Sequence, residues 1–364
     1  MSRFDIVIIG LTLSSSWGNG HATTYRSLLR GLRSEGARVL FLECDMPWYA
    51  SNRDLPDPNF CTLELFENTD DLFNRFASDL GGARSVIIGS YVPDGPHVID
   101  RAAHLRPNLF CFYDIDTPVT LAKLDNGDEE YLRRDQIGLF DAYFSFSGGR
   151  VLKHLERCCG AKRALPLYCS VDEARYYPLH ADKLWDLGYL GTYSPDRQPT
   201  LNRLLIEPAR RLPHKRFVVA GPHYPEDIDW PSNVDRIDHL PPGEHNLFYN
   251  QQMFALNVTR AAMVAAGSSP SVRLFEAGGT GTPIITDRWE GLDEFFAPGR
   301  AILPADGTDD VVAILKDMDE TTRSAIANSA RETTLASHTG KARASQLLAH
   351  LAQLELPAIA PQHV

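Results

Sequence analysis

Apolar residues along this chain gather in short unbroken runs separated by amphipathic stretches. DIVIIG, RVLFLE, SVIIGSY, LFCFYDID and AYFSFS stand in the first half, and RFVVAG, FALNVT, TPIITD and RAILPA in the second. Runs of this length bounded by turn residues predict strands buried on both faces, as in a parallel sheet. Segments of helical spacing lie between them. Tyr25, Leu28, Leu29 and Leu32 recur at i, i+3, i+4 and i+7 between His21 and Arg33, and Gly36 stops that helix. Leu201, Leu204, Leu205 and Ala209 do the same from Leu201 to Leu212, ahead of Pro213. Strands alternating with helices predict βαβ units with right-handed crossovers.

The alternation breaks once. From about Gly160 to Gly188 the chain carries Pro166, Tyr176, Tyr177 and Pro178 without a period, and a new series opens at LWDLGYLGTYS. The expected fold is α/β, with two Rossmann-like doubly wound domains facing a cleft. Residues 1–170 form the first and residues 171–340 the second. An Ala- and Leu-rich helix over 341–364 is free to pack back on the first domain.

Composition narrows the function. Among 364 residues, 36 are Lys or Arg and 47 are Asp or Glu, a formal net charge of −11. No basic stripe offers a grip on nucleic acid. With 43% hydrophobic and 23% charged residues the mix is that of a globular chain, not a disordered one. No apolar run approaches the roughly 20 residues of a membrane-spanning helix. MSRFDIVIIG lacks the layout of a secretory signal. Cys44, Cys61, Cys111, Cys158, Cys159 and Cys169 show no metal-ligand spacing and read as buried free thiols of a reducing compartment. The expected location is the cytoplasm.

Four segments can carry chemistry. Gly18-Asn19-Gly20-His21 follows the first strand and opens the first helix, where a glycine turn admits a ligand to free N–H groups or merely turns the chain tightly. Asp114-Ile115-Asp116-Thr117-Pro118 ends LFCFY. In period-2 backbone its two carboxylates share a face, which suits a divalent cation, a metal-free polar role in the cleft, or helix capping. Gly191, Tyr193 and Arg197 follow the first strand of the second series, with Arg197 either meeting a phosphate or lying solvated at a helix start. Finally, Ser269 is a good N-cap and Pro270 suits a first helical position, which leaves the N–H groups of Ser271 and Val272 for a diphosphate. Arg273 and Glu276 then share one helix face, as site residues or as a surface ion pair. Gly278, Gly279 and Gly281 keep the following turn bare beside a ligand.

That last segment resembles a family. From Phe248 to Arg300 the pattern Pro-x-x-Arg-x-Phe-Glu-Ala, Gly-Thr-Pro, Thr-Asp and Gly-Leu-x-x-Phe-Phe is similar to CgeB-like glycosyltransferases of the spore-maturation-protein type, relatives of the retaining group-1 glycosyltransferases. The N-terminal half shares Gly-Asn-Gly-His-Ala and the strand–helix order. The resemblance implies a GT-B fold and a metal-independent glycosyltransferase. It implies no cofactor, a nucleoside-diphosphate sugar held mainly by the second domain, and an unidentified acceptor. Glu276 would take the donor ribose, and Ser271 and Val272 the diphosphate with Arg273 or Arg197. Gly191, Tyr193, Gly279 and Thr280 would line the donor site. Asp116, His21 and Asp114 are the candidates for the acceptor proton, with Gly18, Asn19, Gly20 and Thr117 on the acceptor side. Many retaining members carry Glu-x7-Glu, and here Ser268 stands at the first position. The usual phosphate-binding Lys is also replaced, with His223 near Gly221. These departures keep open an epimerase, a phosphorylase or a non-catalytic nucleotide- or sugar-binding protein of the same fold.

Overall fold

The computed structural model describes residues 3–17 and 20–356. The chain divides into two units, one running to Ser170 and resumed at Gly340, the other Val171–Thr339. Each is built on its own parallel sheet. The first sheet contains β1 (Ile6–Gly10), β2 (Val39–Cys44), β3 (Thr62–Phe66), β4 (Ser85–Gly89), β5 (Phe110–Asp114), β6 (Ala142–Ser145) and β7 (Ala164–Pro166), in spatial order 3-2-1-4-5-6-7. The second contains β8 (Trp185–Leu190), β9 (Phe217–Ala220), β10 (Val234–Ile237), β11 (Gln252–Asn257), β12 (Ile284–Thr286) and β13 (Leu303–Pro304), in order 10-9-8-11-12-13. The central runs IVIIG of β1 and SVIIG of β4 are buried at every position, as the unbroken apolar text predicts. Ile8 of β1 lies between Phe41 of β2 and Ile87 of β4.

Three strands have no counterpart in the apolar runs. Thr62–Leu65 of β3 and Asp235–Ile237 of β10 are only half-buried, and β7 has three residues. All three lie at or against a sheet edge, where one face or one flank meets solvent and the sequence need not be continuously apolar.

In both sheets the strand order reverses beside the first strand, between β1 and β4 and between β8 and β11. Helices after these neighbours leave on opposite faces, so each unit has a crevice beyond its strand C-termini at that point.

The helix His21–Ser34 buries more than its predicted stripe, with Arg26, Ser27 and Gly31 also covered. The helix Gly340–Glu355 lies on that second face. A side chain at Gly31 would come within 2.2 Å of the Gly340 carbonyl oxygen, and one at Gly340 within 2.1 Å of that of Ser27. Two glycines therefore set how closely these backbones approach. The predicted helix from Leu201 is longer at its start and runs Gln198–Arg211 with a π-turn over Asn202–Ile206, just ahead of Pro208. A wider turn there makes room for the proline ring and for the i→i−4 bond that proline cannot donate. Of the cysteines, Cys44, Cys111, Cys159 and Cys169 are buried, but Cys61 is half-buried and Cys158 exposed at the end of a surface helix, which corrects the expectation for those two.

Candidate functional site

In the unit Val171–Thr339, side chains converge where the chain leaves β8 and where the helix Val272–Thr280 begins. Gly191 follows β8, and a Cβ on Gly221 would lie 2.2 Å from its carbonyl oxygen. The loops after β8 and β9 touch backbone to backbone there. The Arg273 guanidinium donates to the Leu190 carbonyl and, at 3.0 Å, to Ser271 Oγ, and it lies 5.4 Å from the Tyr189 ring centre. Arg273 is thus turned back onto the end of β8 and not into an ion pair with Glu276.

Arg197 is 5% exposed. It donates to the Thr192 carbonyl at 2.6 Å, while its Nε is buried and, among the described residues, without a partner. Burial lowers its pKa, Tyr189 opposes the shift, and the charges of Arg273 and Arg260 add to it. Among the described residues no carboxylate lies within 4 Å of either Arg197 or Arg273. Two cations held close repel each other, the Glu276 charge offsets this in part for Arg273, and an arriving anion would remove more of that cost. Tyr193 stacks edge-on against Tyr224 at 5.5 Å, and Tyr224 in turn donates to the Gly191 carbonyl. Arg236 lies 4.2 Å over Tyr224 and donates to the Val219 and Gly221 carbonyls.

Ser271, not Ser269, is the N-cap. Its Oγ accepts from the Arg273 N–H at 3.4 Å, and Val272 is the first helical residue. Ser269 is instead wholly buried, its hydroxyl donating to the Gly267 carbonyl. Glu276, one turn in, is 7% exposed and accepts a hydrogen bond from Tyr249 at 3.1 Å. Burial, with the Glu276 charge behind it, pushes the Tyr249 hydroxyl well above its ordinary range, so it remains a donor. Tyr176, facing the same carboxylate, is raised by burial and by Glu276 and contacts His245 Nδ1 at 3.3 Å.

Two of the glycines expected to keep a turn bare beside a ligand face the protein instead. A side chain at Gly278 would meet Thr334 Oγ1 at 2.2 Å, and one at Gly279 would meet the Tyr176 carbonyl at 3.1 Å. These glycines let the helix Val272–Thr280 pack against the helix Glu320–Ser337 and the Tyr176 segment; they do not bare a ligand turn. Thr280 spends its hydroxyl on the Ala277 carbonyl and Thr282. Ser268 is buried at a φ of +41°, and its hydroxyl donates to Glu294 at 2.9 Å.

The first unit gathers His21, Asp116 and Tyr91 at its own point of strand reversal. His21 is 7% exposed, its Nε2 lies 3.7 Å from Asp116 Oδ2, and its ring meets Tyr91 edge-on at 5.1 Å. Among the described residues its Nδ1 has no hydrogen-bond partner. The expectation that Asp114 and Asp116 share a face is corrected. Asp114 ends β5 fully buried, accepting from Tyr143 (2.5 Å), Thr120 (2.7 Å) and the Asp116 N–H (3.2 Å). The strand stops there, so Asp116 no longer follows the two-residue repeat. Thr117 is likewise internal, bonded to the Asp114 carbonyl and Ser145. Gly20 caps the helix His21–Ser34 in the open, while Gly18 and Asn19 lie outside the described residues.

Sequence reasoning missed the residues that shape the loop before that helix. Glu43, fully buried at the end of β2, accepts from the Leu13 and Ser14 amides and the Thr12 and Ser14 hydroxyls. Asp54 holds Arg26 by two bonds of 2.7 and 2.8 Å and also takes the Ser16 amide. An acid at the end of the otherwise apolar RVLFLE run was the available signal for Glu43. Asp287 was missed in the same way: buried after β12, it accepts from the amide and hydroxyl of Thr259. Among the described residues no group of three or more His, Cys, Asp or Glu is arranged to hold a metal ion. Nor is any helix among them long and apolar enough to cross a membrane.

Residues 197–349 match the glycosyl transferase-like family. No curated protein is found to be a relative. Solved structures of similar fold include sucrose-phosphate synthase from Thermosynechococcus elongatus, at 13% identity over 97% of this chain and 99% of that one, with a TM-score of 0.69. Anabaena HepE in complex with UDP and glucose is similar at 11% identity over 96% of this chain and all of that one, TM-score 0.68. A glycosyltransferase from Rickettsia africae matches at 10% identity over 97% and 99%, TM-score 0.66. The chain has the GT-B fold of these glycosyltransferases, and residues 197–349 carry the glycosyl transferase-like sequence pattern.

Proposed function

We propose that this chain transfers a glycosyl group from a nucleoside-diphosphate sugar to an acceptor hydroxyl, holding the donor in the unit Val171–Thr339 and using no metal. The observation that carries the reading is the pair Arg197 and Arg273, set without a carboxylate partner at the end of β8 and beside the N-terminus of the helix Val272–Thr280. Breaking the bond between the anomeric carbon and the diphosphate oxygen leaves negative charge on the diphosphate. Two fixed guanidiniums and the helix amides oppose that charge without reorganising. Glu276, steadied by Tyr249, is placed to accept from donor ribose hydroxyls. We assign removal of the acceptor proton to His21, whose ring lies beside Asp116. Asp114 is left out of that role, because its oxygens are already occupied.

The glycosyl transferase-like match supports this reading, as do the UDP and UDP-glucose complexes of Anabaena HepE, which make UDP-glucose the first donor to test. The test is a thermal-shift panel of UDP, GDP, dTDP and ADP with and without EDTA. A nucleotide at a hundred times its dissociation constant stabilises the fold by about 2.7 kcal/mol. A shift for one diphosphate, indifferent to EDTA, is expected. Silence across the panel overturns the donor site, and a shift abolished by EDTA overturns metal independence.

A further inference from the structure

We infer that the first unit carries a second anion site, which takes the phosphate group of a small phosphorylated molecule, at the end of its sheet opposite His21. A cavity of about 430 Å³ opens where the chain enters β1, β2 and β3. Arg3, Arg33 and Arg38 line it together with Asn59, and Phe4 and Phe60 form apolar walls. The three arginines come from separate stretches: the lead into β1, the last turn of the helix His21–Ser34, and the residue before β2. No acidic side chain lines the cavity, in a chain whose net charge is −11.

The arginines differ in what already holds them. Arg38 is engaged by Asp5 at 2.9 Å. The guanidiniums of Arg3 and Arg33 have, among the described residues, no hydrogen-bond acceptor and no carboxylate within reach. Arg3 rests 5.2 Å from the centre of the Phe4 ring. Phe4 and Phe60 are both only 6% exposed, so the walls are anchored in the core. Arg33 by itself is accounted for by the helix C-terminus, whose carbonyls favour a cation. That explanation does not reach Arg3 or Arg38, which arrive from other elements.

Like charges around one cavity repel, and two free planar forks suit the oxygens of a phosphate, which accept in pairs. The volume falls in the range of small-molecule sites and is far more than bare phosphate fills. An ester whose organic part lies against Phe4 and Phe60 uses both features. Because the arginines are exposed, binding must weaken as salt rises.

The test uses the full chain and a doubly substituted Arg3→Ala, Arg33→Ala protein. The probes are inorganic phosphate, glucose 6-phosphate, glucose, and vesicles of phosphatidylcholine with phosphatidylglycerol, followed by calorimetry and thermal shift. Glucose 6-phosphate should bind the unaltered protein while glucose does not. The double substitution should weaken that binding at least about tenfold, the scale of one lost charge-assisted hydrogen bond. Among the described residues neither guanidinium holds a hydrogen bond or an ion pair, so the unliganded melting temperature should fall only slightly, by the lost Phe4 contact and helix-end charge. UDP response should be the same in both proteins, which separates this site from the donor site. Equal affinity of glucose 6-phosphate for the two proteins overturns the proposal, as does capture by anionic vesicles with no response to the soluble ester.

Discussion

Single side chains test the proposed nucleotide site of the second unit. Replacing Arg197 with Ala should weaken binding of a nucleoside diphosphate by about 1.5–3 kcal/mol while leaving the nucleoside nearly unaffected, because a charge-assisted bond is lost only where phosphate is present. Calorimetry with UDP and uridine checks this, and equal losses would remove Arg197 from the phosphate site. Tyr249→Phe deletes the hydroxyl that steadies Glu276 and nothing else of its bulk. UDP should then bind roughly tenfold more weakly, with 2′-deoxy-UDP less affected. The same loss for both nucleotides would reduce Tyr249 to packing. In the first unit, burial raises the Asp114 carboxyl to about 6, with the Asp116 charge adding to it and the Tyr143 and Thr120 donors opposing it. The unfolded chain releases that proton near 3.8. Between these values the folded state keeps a proton the unfolded state has lost, so stability should fall as pH rises from about 4 to 6. The slope contributed is up to about 1.4 kcal/mol per pH unit, flattening above. Asp114→Asn should remove that slope in urea titrations taken across the range.

At the scale of elements, the helix His21–Ser34 shows why a periodic stripe understates burial. Tyr25, Leu28, Leu29 and Leu32 face the sheet as their spacing predicts, yet Gly31 faces a helix more than three hundred residues later in the chain. A methyl group at Gly31 would sit 2.2 Å from the Gly340 carbonyl oxygen, so Gly31→Ala must push the two helices apart. The expected cost is about 1–3 kcal/mol in urea unfolding, the scale of an overpacked contact. An unchanged midpoint would mean that the helix Gly340–Glu355 can detach without loss. The helix Val272–Thr280 makes the same point. Its glycines look in sequence like a bare ligand turn, but Thr334 and Tyr176 occupy the space a side chain would need. Its start was also displaced by two residues, since Ser271 competes with Ser269 as N-cap and the chain around Gly267 and Ser268 is at positive φ.

For the whole molecule, the chain has two separate sheets and cores, and the proposed donor site belongs to one of them. UDP should raise hydrogen-exchange protection at Gly191–Arg197 and Ser271–Glu276 and leave the helix Gly340–Glu355 near its unliganded rate. Protection confined instead to the first unit would misplace the donor. The net charge of −11 gives this molecule no electrostatic reason to seek polyanions at large. The proposed phosphate binding therefore calls on local cations such as Arg197 and Arg273.

The order of elements was legible because each central parallel strand is covered on both faces and has to be apolar without interruption, as in β1, β2, β4, β5 and β6. Edge strands β3, β7 and β10 escape that rule, because only part of each is covered. The residue types of the proposed donor site, Arg197, Arg273 and Glu276, were candidates from the sequence, since glycine turns and helix starts announce themselves locally. What those side chains touch was not. Arg273 turning to Leu190, Tyr249 reaching Glu276, and Asp114 folding inward onto Tyr143 while Asp116 faces His21 are contacts between residues far apart in the chain or on a strand that ends between them. Periodicity records which face of its own element a residue occupies. Only the packing of elements decides what stands opposite that face, because the partner's position depends on every crossover in between.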